Sequence, residues 1–244
     1  MKRRTFIAGL GAAAWPVVAR AQQQAVSTIG FLHEGSPEGY GILVEYFRKG
    51  LDEAGFFEGR NLTIEYRWAR TDDARLPELA ADLVRRKVVV IATPGSPLAA
   101  LAVKAATATI PIVFGLSGDP VELGLVASFN RPGGNVTGLY DTNASLLTKE
   151  LALVSELKLS TAPLAVLVNP TSPYKESVTT ELQVTAAAFG RESRILYAAS
   201  NREIDAAFGE LQSKPTAALL TLPIRCSSLV GYRSSRWRRV TPYL

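Results

Sequence analysis

Short β-branched apolar runs alternate with longer stretches of helical period along most of this chain, and that alternation constrains its fold more than any other feature. STIGFLHE predicts a strand, residues 38–54 a helix closed by Gly55, and NLTIEYRWA a second strand with period-two alternation. A helix over 74–86, a buried strand in VVVIAT, a helix after Ser96 and a buried strand in IPIVFG follow. The order is β, α, β, α, β, α, β. Strands separated by single helices are expected to run parallel, joined by right-handed crossovers, which makes a doubly wound α/β sheet.

RPGGNVTGLYD, residues 131–141, is dense in turn formers and predicts a break, followed by a helix over 145–157. The alternation restarts with LAVLVN, a helix over 174–189, SRILYAAS, a helix over 204–211 and TAALL. The expected organisation is an N-terminal α/β unit over 26–141 and a partial second unit over 142–220. The second stops at its third strand, about half of what such a unit needs to cover both faces of its sheet.

The 244 residues can bury a sizeable core, and their formal net charge of +5 raises the question of a nucleic-acid partner. The excess sits at the two ends. Of 27 basic residues, four lie in the first 21 and five in the last 24, and those ends hold no acid. Residues 22–220 therefore carry 18 basic and 22 acidic side chains, a net of −4. Such a body has no electrostatic footprint for DNA or RNA.

MKRRTFIAGLGAAAWPVVARA has a basic start, an apolar run from Phe6 to Val18 and small residues at Ala19 and Ala21, the layout of a cleavable export signal over 1–21. The run is too short and too rich in Gly and Pro to span a membrane. Arg3 and Arg4, followed by Thr5, Phe6 and Ile7, resemble the twin-arginine export pattern, while the general secretory route fits as well. The single cysteine, Cys226, lies near the C-terminus, so the body can form no internal disulfide.

Ligands on open parallel sheets bind outside the carboxyl ends of the strands, which directs attention to five turns. They are HEGSPEG (33–39), TPGSP (93–97), SGDP (117–120), LYDTN (139–143) and NPTSP (169–173). Most combine small or hydroxyl residues with Pro, leaving backbone N–H groups at a helix start able to receive an anion. Ser36, Ser96 and Ser172 could add hydroxyls, or could simply cap their helices. His33, the only histidine, would need a nucleophile or metal partner to act as a base, and the body offers neither a cysteine nor an HExxH pair. Asp119 could hold an ammonium or cap a helix; Tyr140 and Asp141 could form an aromatic wall with a charged partner, or a hinge turn. No Walker A or Rossmann glycine fingerprint is present, no cofactor is expected, and no catalytic set is recognisable.

IGFLHEGSPE, the FRKGLDEAGFFEGRNLTIEYRWA block, LPELAADLV, IATPGSPLAALAVKAATATIPIVFGLSGDPVELGLVASFNRPGGNVTG and LAVLVNPTSP closely resemble the substrate-binding proteins of ABC transporters, in the group that includes tryptophan-binding members. The resemblance runs from Met1 to about Leu220. It implies a periplasmic binding protein of type I: two flavodoxin-like doubly wound parallel-sheet lobes with a ligand cleft between them, here with the second lobe incomplete. It implies that His33, Glu34, Ser36, Thr93, Ser96, Asp119, Tyr140, Asp141, Asn169, Ser172 and Tyr174 line that cleft. The implied partners are a small-molecule ligand, an amino acid or small carboxylate, and an ABC permease in the inner membrane, with capture in the periplasm and no bond made or broken. An exported α/β enzyme would require a base beside a nucleophile or metal. A regulator's ligand-sensing domain would require an attached DNA-binding or membrane segment.

The resemblance fails after Leu220. Residues 221–244 contain five arginines, no acid and no alanine, whereas the family continues from TAALL into a D-P-x-F turn, an Arg-Arg pair and a helix ending like AARHAIP. Synonymous codons for this tail, read two nucleotides later, permit PSDPLFKSRRVSVIAMAARHAIP. A shifted frame near Leu220 is therefore expected, which would leave apolar sheet surface uncovered and impair binding. A basic nucleic-acid arm is the rival reading of the tail, and it has no role on an exported body.

Overall fold

The computed structural model describes residues 26–141, 149, 153, 162–214 and 216–221. Two parallel sheets organise them. In the first, β1 (Ser27–His33), β2 (Leu62–Trp68), β3 (Ile91–Pro94), β4 (Ile112–Ser117) and β5 (Val136–Asp141) stand in the order β2-β1-β3-β4-β5. That is the flavodoxin-like order, with its topological switch between β1 and β3. In the second, β6 (Leu164–Val168) lies between β7 (Ser193–Tyr197) and β8 (Ala218–Thr221).

Alternation along β1 explains how the first sheet is covered. Ile29 and Phe31 pack with Leu62 and Ile64 against Val44, Phe47 and Leu51 of α1 (Pro37–Glu53). Leu32, on the other face, joins Ile91, Ile112, Phe114 and Val136 beneath α2 (Leu76–Arg85) and α3 (Pro97–Ala106). Those that are fully buried, such as Phe31, Leu32, Ile91 and Ile112, each contribute roughly 1.5–3 kcal/mol relative to exposure. The two expected helices shift slightly: α1 closes at Ala54, and a 3₁₀ turn (Asp73–Arg75) precedes α2 because Pro77 suits a first helical turn.

In the second sheet every residue of β6 is buried. One face meets Val178 and Leu182 of α4 (Lys175–Ala188), the other Ile204 and Ala207 of α5 (Asn201–Ser213). An unbroken apolar run such as LAVLV is what a strand covered on both sides requires. Ser200 and Glu203 form a reciprocal capping box, which starts α5 three residues before its apolar period begins.

One expectation needs correction. Residues 131–141 do not form only a break: 136–141 are β5, the fifth strand of the first sheet. Gly138 gives this strand the composition of a loop. A Cβ there would lie 2.6 Å from Cγ of Phe114 and closer still to the Phe114 carbonyl, so the glycine marks a close approach between strands. The helix expected over 145–157 lies, apart from Lys149 and Leu153, outside the described residues, as do the export signal over 1–21 and the tail from 222 onward.

Candidate functional site

Because all strands of each sheet are parallel, the turns leaving them gather on one edge. At the end of β1, His33 is fully buried and faces α1. Its Nδ1 accepts from the Gly35 N–H at 2.8 Å, and its ring lies 4.0 Å from that of Tyr40 and 5.4 Å from that of Trp68. This histidine braces the turn rather than lining open space. Ser36 caps α1, its Oγ accepting from the Gly39 N–H at 3.4 Å. The backbone N–H of Glu38 itself, and after it the Ser36 hydroxyl, hold the Glu38 carboxyl below its ordinary range.

Ser96 behaves differently. It occupies the N-cap position of α3 but makes no capping bond. Its buried hydroxyl instead reaches the β1 turn, donating to Glu34 Oε2 at 2.8 Å and accepting from the Glu34 N–H at 3.2 Å. Thr93, at the end of β3, is fully buried, and its Oγ1 has no hydrogen-bond partner among the described residues. A buried hydroxyl left unpaired is uncommon enough to require an occupant or a cost.

At the ends of β4 and β5, Ser117 Oγ donates to Asp141 Oδ2 at 2.9 Å, and the Gly118 N–H donates to the Asp141 carbonyl at 3.1 Å. Asp119 serves as a cap, its Oδ1 accepting from the N–H groups of Val121 and Glu122 at 2.7 and 3.2 Å. Tyr140 is exposed and stacks on Phe129 with ring centroids 4.9 Å apart. From the second sheet, Asn169 Oδ1 accepts from Thr171, and Ser172 Oγ accepts from the Tyr174 N–H at 3.3 Å. These two residues shape the β6 turn.

The turns of the two sheets meet at two points, and the pairings, though not Tyr174 or the turns themselves, are new to the structure. Tyr174 lies over Gly118. Its phenol is pushed well above its ordinary range, first by burial and then by the carboxylates of Glu122, Asp119 and Asp141. Thr171 lies near the side chain of Asp73 and acts to lower its carboxyl pKa, but burial, the larger influence, raises it. Gly118 was visible within SGDP only as a turn residue; its need for a left-handed φ of 119° carries no mark in a single sequence.

The structure thus brings Glu34 and Ser96 together, likewise Asp141 with Ser117 and Tyr174 with Gly118. It assigns His33, Ser36, Asp119, Asn169 and Ser172 to bracing and capping. Among the described residues no group of three or more His, Cys, Asp or Glu could hold a metal ion, and no helix is long and apolar enough to cross a membrane.

Two doubly wound parallel sheets with their strand-end turns facing each other define a two-lobed binding-protein architecture, the periplasmic binding protein type I fold. The family model for ABC transporter substrate binding proteins matches residues 37–230, and the chain belongs to that family. A tyrosine-binding protein of Clostridioides difficile is 35% identical over 123 residues, half of this chain. That match spans about a third of the relative's length, 35%. A Streptococcus pneumonia ABC domain solved in complex with L-Trp superposes with a TM-score of 0.70 at 20% identity, covering 88% of this chain and 70% of that one. A conserved domain protein of Vibrio cholerae superposes with a TM-score of 0.68 at 25% identity, covering 80% and 64%.

Proposed function

We propose that the chain is the solute-capturing component of an ABC importer, acting outside the cytoplasm, binding a small carboxylate-bearing solute and making or breaking no bond. The family match over 37–230 is the observation that carries this reading. The turns support it locally. Thr93 offers a buried hydroxyl with no partner among the described residues, the β3 turn opens onto the start of α3, and Tyr140 and Tyr174 supply aromatic surface at the same edge. A helix start beside a hydroxyl suits a carboxylate, and aromatic walls suit an apolar side chain. The relatives' ligands make aromatic amino acids the first solutes to try.

The twin arginines and apolar run of 1–21 support export with cleavage after Ala21, which places the working protein where a permease in the inner membrane could receive its solute. We infer a shifted frame beyond Leu220 from the acid-free, arginine-rich tail, into which the family match extends as far as residue 230. We infer that binding by the chain as given is weakened, because Val113 and Leu139 stand 43% and 80% exposed on the sheet face opposite α2 and α3. Isothermal titration with L-tyrosine, L-tryptophan and benzoate tests the reading. Saturable heat with one of them on a chain whose 221–244 segment is restored to frame, and weaker heat on the chain as given, is expected. Steady chemical conversion of a solute by purified protein would overturn the carrier role.

A further inference from the structure

One close contact between the two sheets, among the described residues, involves a residue that lacks a side chain. Gly118 adopts φ 119°, a conformation L side chains rarely enter, and a Cβ built on it would lie 2.7 Å from the hydroxyl oxygen of Tyr174 and nearer still to Cζ. The tyrosine ring occupies the space that glycine leaves. Both partners are held firmly on their own sides. Gly118 is tied to β5 through its N–H and the Asp141 carbonyl, and its neighbour Ser117 is tied to the Asp141 carboxylate. Tyr174 stands at the N-cap of α4, where its carbonyl accepts from the Val178 N–H at 3.0 Å and from Ser177 Oγ at 3.1 Å.

We propose that Tyr174 and Gly118 form a latch, the tyrosine ring of the second lobe seating on the bare backbone of the first, and that this contact sets how much of the protein is closed before solute arrives. The inference rests on the two-lobed binding reading and adds to it the residues that govern closure. The atoms that fill the space at Gly118 are Cζ, the hydroxyl oxygen and Cε1, the hydroxyl-bearing end of the ring, and because that oxygen is buried with no hydrogen-bond partner among the described residues, the contact is one of shape and not of hydrogen bonding. Because apparent affinity scales with the population of the binding-competent state, the latch acts on every solute alike. Thr171 of the second sheet also approaches Asp73, at the turn after β2.

The test is a spin-label distance measurement on the full chain without solute, in a Cys226→Ser background that removes the single native thiol. Labels go on the exposed Glu78 and Arg202, in the first turns of α2 and α5. Gly118→Ala and Tyr174→Ala are each expected to move the main distance outward, with the closed-to-open ratio falling roughly tenfold or more; Tyr174→Phe is expected to keep the parental distribution. If Gly118→Ala does not fold, Tyr174→Ala decides alone. Unmoved distances in the folded alanine variants, or a parental distribution already as broad as that of Tyr174→Ala, overturn the latch. A moved distance with no heat from any solute leaves the latch standing and counts against the binding reading instead.

Discussion

Ser96 Oγ and Glu34 exchange two hydrogen bonds, one of 2.8 Å to the carboxylate and one of 3.2 Å from the backbone N–H, and so tie together turns 62 positions apart. The pair bridges the ends of β1 and β3, where the sheet order switches and the crevice opens. Removing the hydroxyl leaves the Glu34 amide and carboxylate with fewer partners in a partly buried site. Ser96→Ala is therefore expected to lower unfolding free energy by about 1.5–3 kcal/mol, the range for bonds to a charged group. Urea denaturation checks it, and Ser96→Thr, which keeps the oxygen, should recover part of the loss.

Thr93 predicts the opposite pattern. Its hydroxyl is buried with no partner among the described residues, so replacing it with an isosteric methyl removes a desolvated polar group. Thr93→Val should leave stability unchanged or raise it by up to about 1 kcal/mol. If the hydroxyl meets the solute's carboxylate, the same variant loses affinity. Thermal shift without solute and titration with it separate the two effects.

Asp82 links α2 to β2, its Oδ2 receiving Arg67 Nη2 at 2.7 Å and Arg86 Nε at 2.9 Å. The hydrogen bonds from Arg67 and Arg86 hold its carboxyl down at about 2, against an ordinary 3.8. A lowered folded-state pKa means stability present above pH 3.8 that is lost as pH falls from there toward 2. Asp82→Asn should therefore lower stability at neutral pH slightly and flatten its fall over that acid window. Thermal melts at pH 2.5, 3.5 and 6 read the difference.

Much of this architecture was legible in the sequence, and the exceptions have physical causes. LAVLV and the period-two NLTIEYRW announced their strands because burial on both faces, or on one, writes itself into residue type. β5 escaped because Gly133, Gly134 and Gly138 make its approach resemble a loop, and Gly138 is required by Phe114 on the neighbouring strand. That partner lies 24 positions earlier and is invisible to a local window. At the site the strand-end turns were legible, and capping was open for Ser36, Ser96, Ser172 and Asp119, but which of them would cap was not. Ser36 and Ser96 look alike in sequence, each before a proline at a helix start. One caps its helix and the other reaches across to Glu34, a distinction that only the neighbouring strand decides.

Asp73 supplies a test of closure that is independent of the tyrosine latch. Burial raises its carboxyl pKa, the neighbouring Asp72 adds to the rise, and the nearby Thr171 of the second sheet offsets part of it. Where separation of the turns uncovers Asp73, its carboxyl returns toward the ordinary 3.8. A pKa that is higher in the closed form means that protons favour closure: the contribution is fully present below pH 3.8 and is lost as pH rises through the elevated closed-state value. The Glu78–Arg202 label distance should therefore lengthen as pH rises from 4 to 7 in the parental chain. Asp73→Asn, neutral throughout, should hold the shorter distance at both. A distance that lengthens equally in parent and variant would assign the pH response to groups other than Asp73.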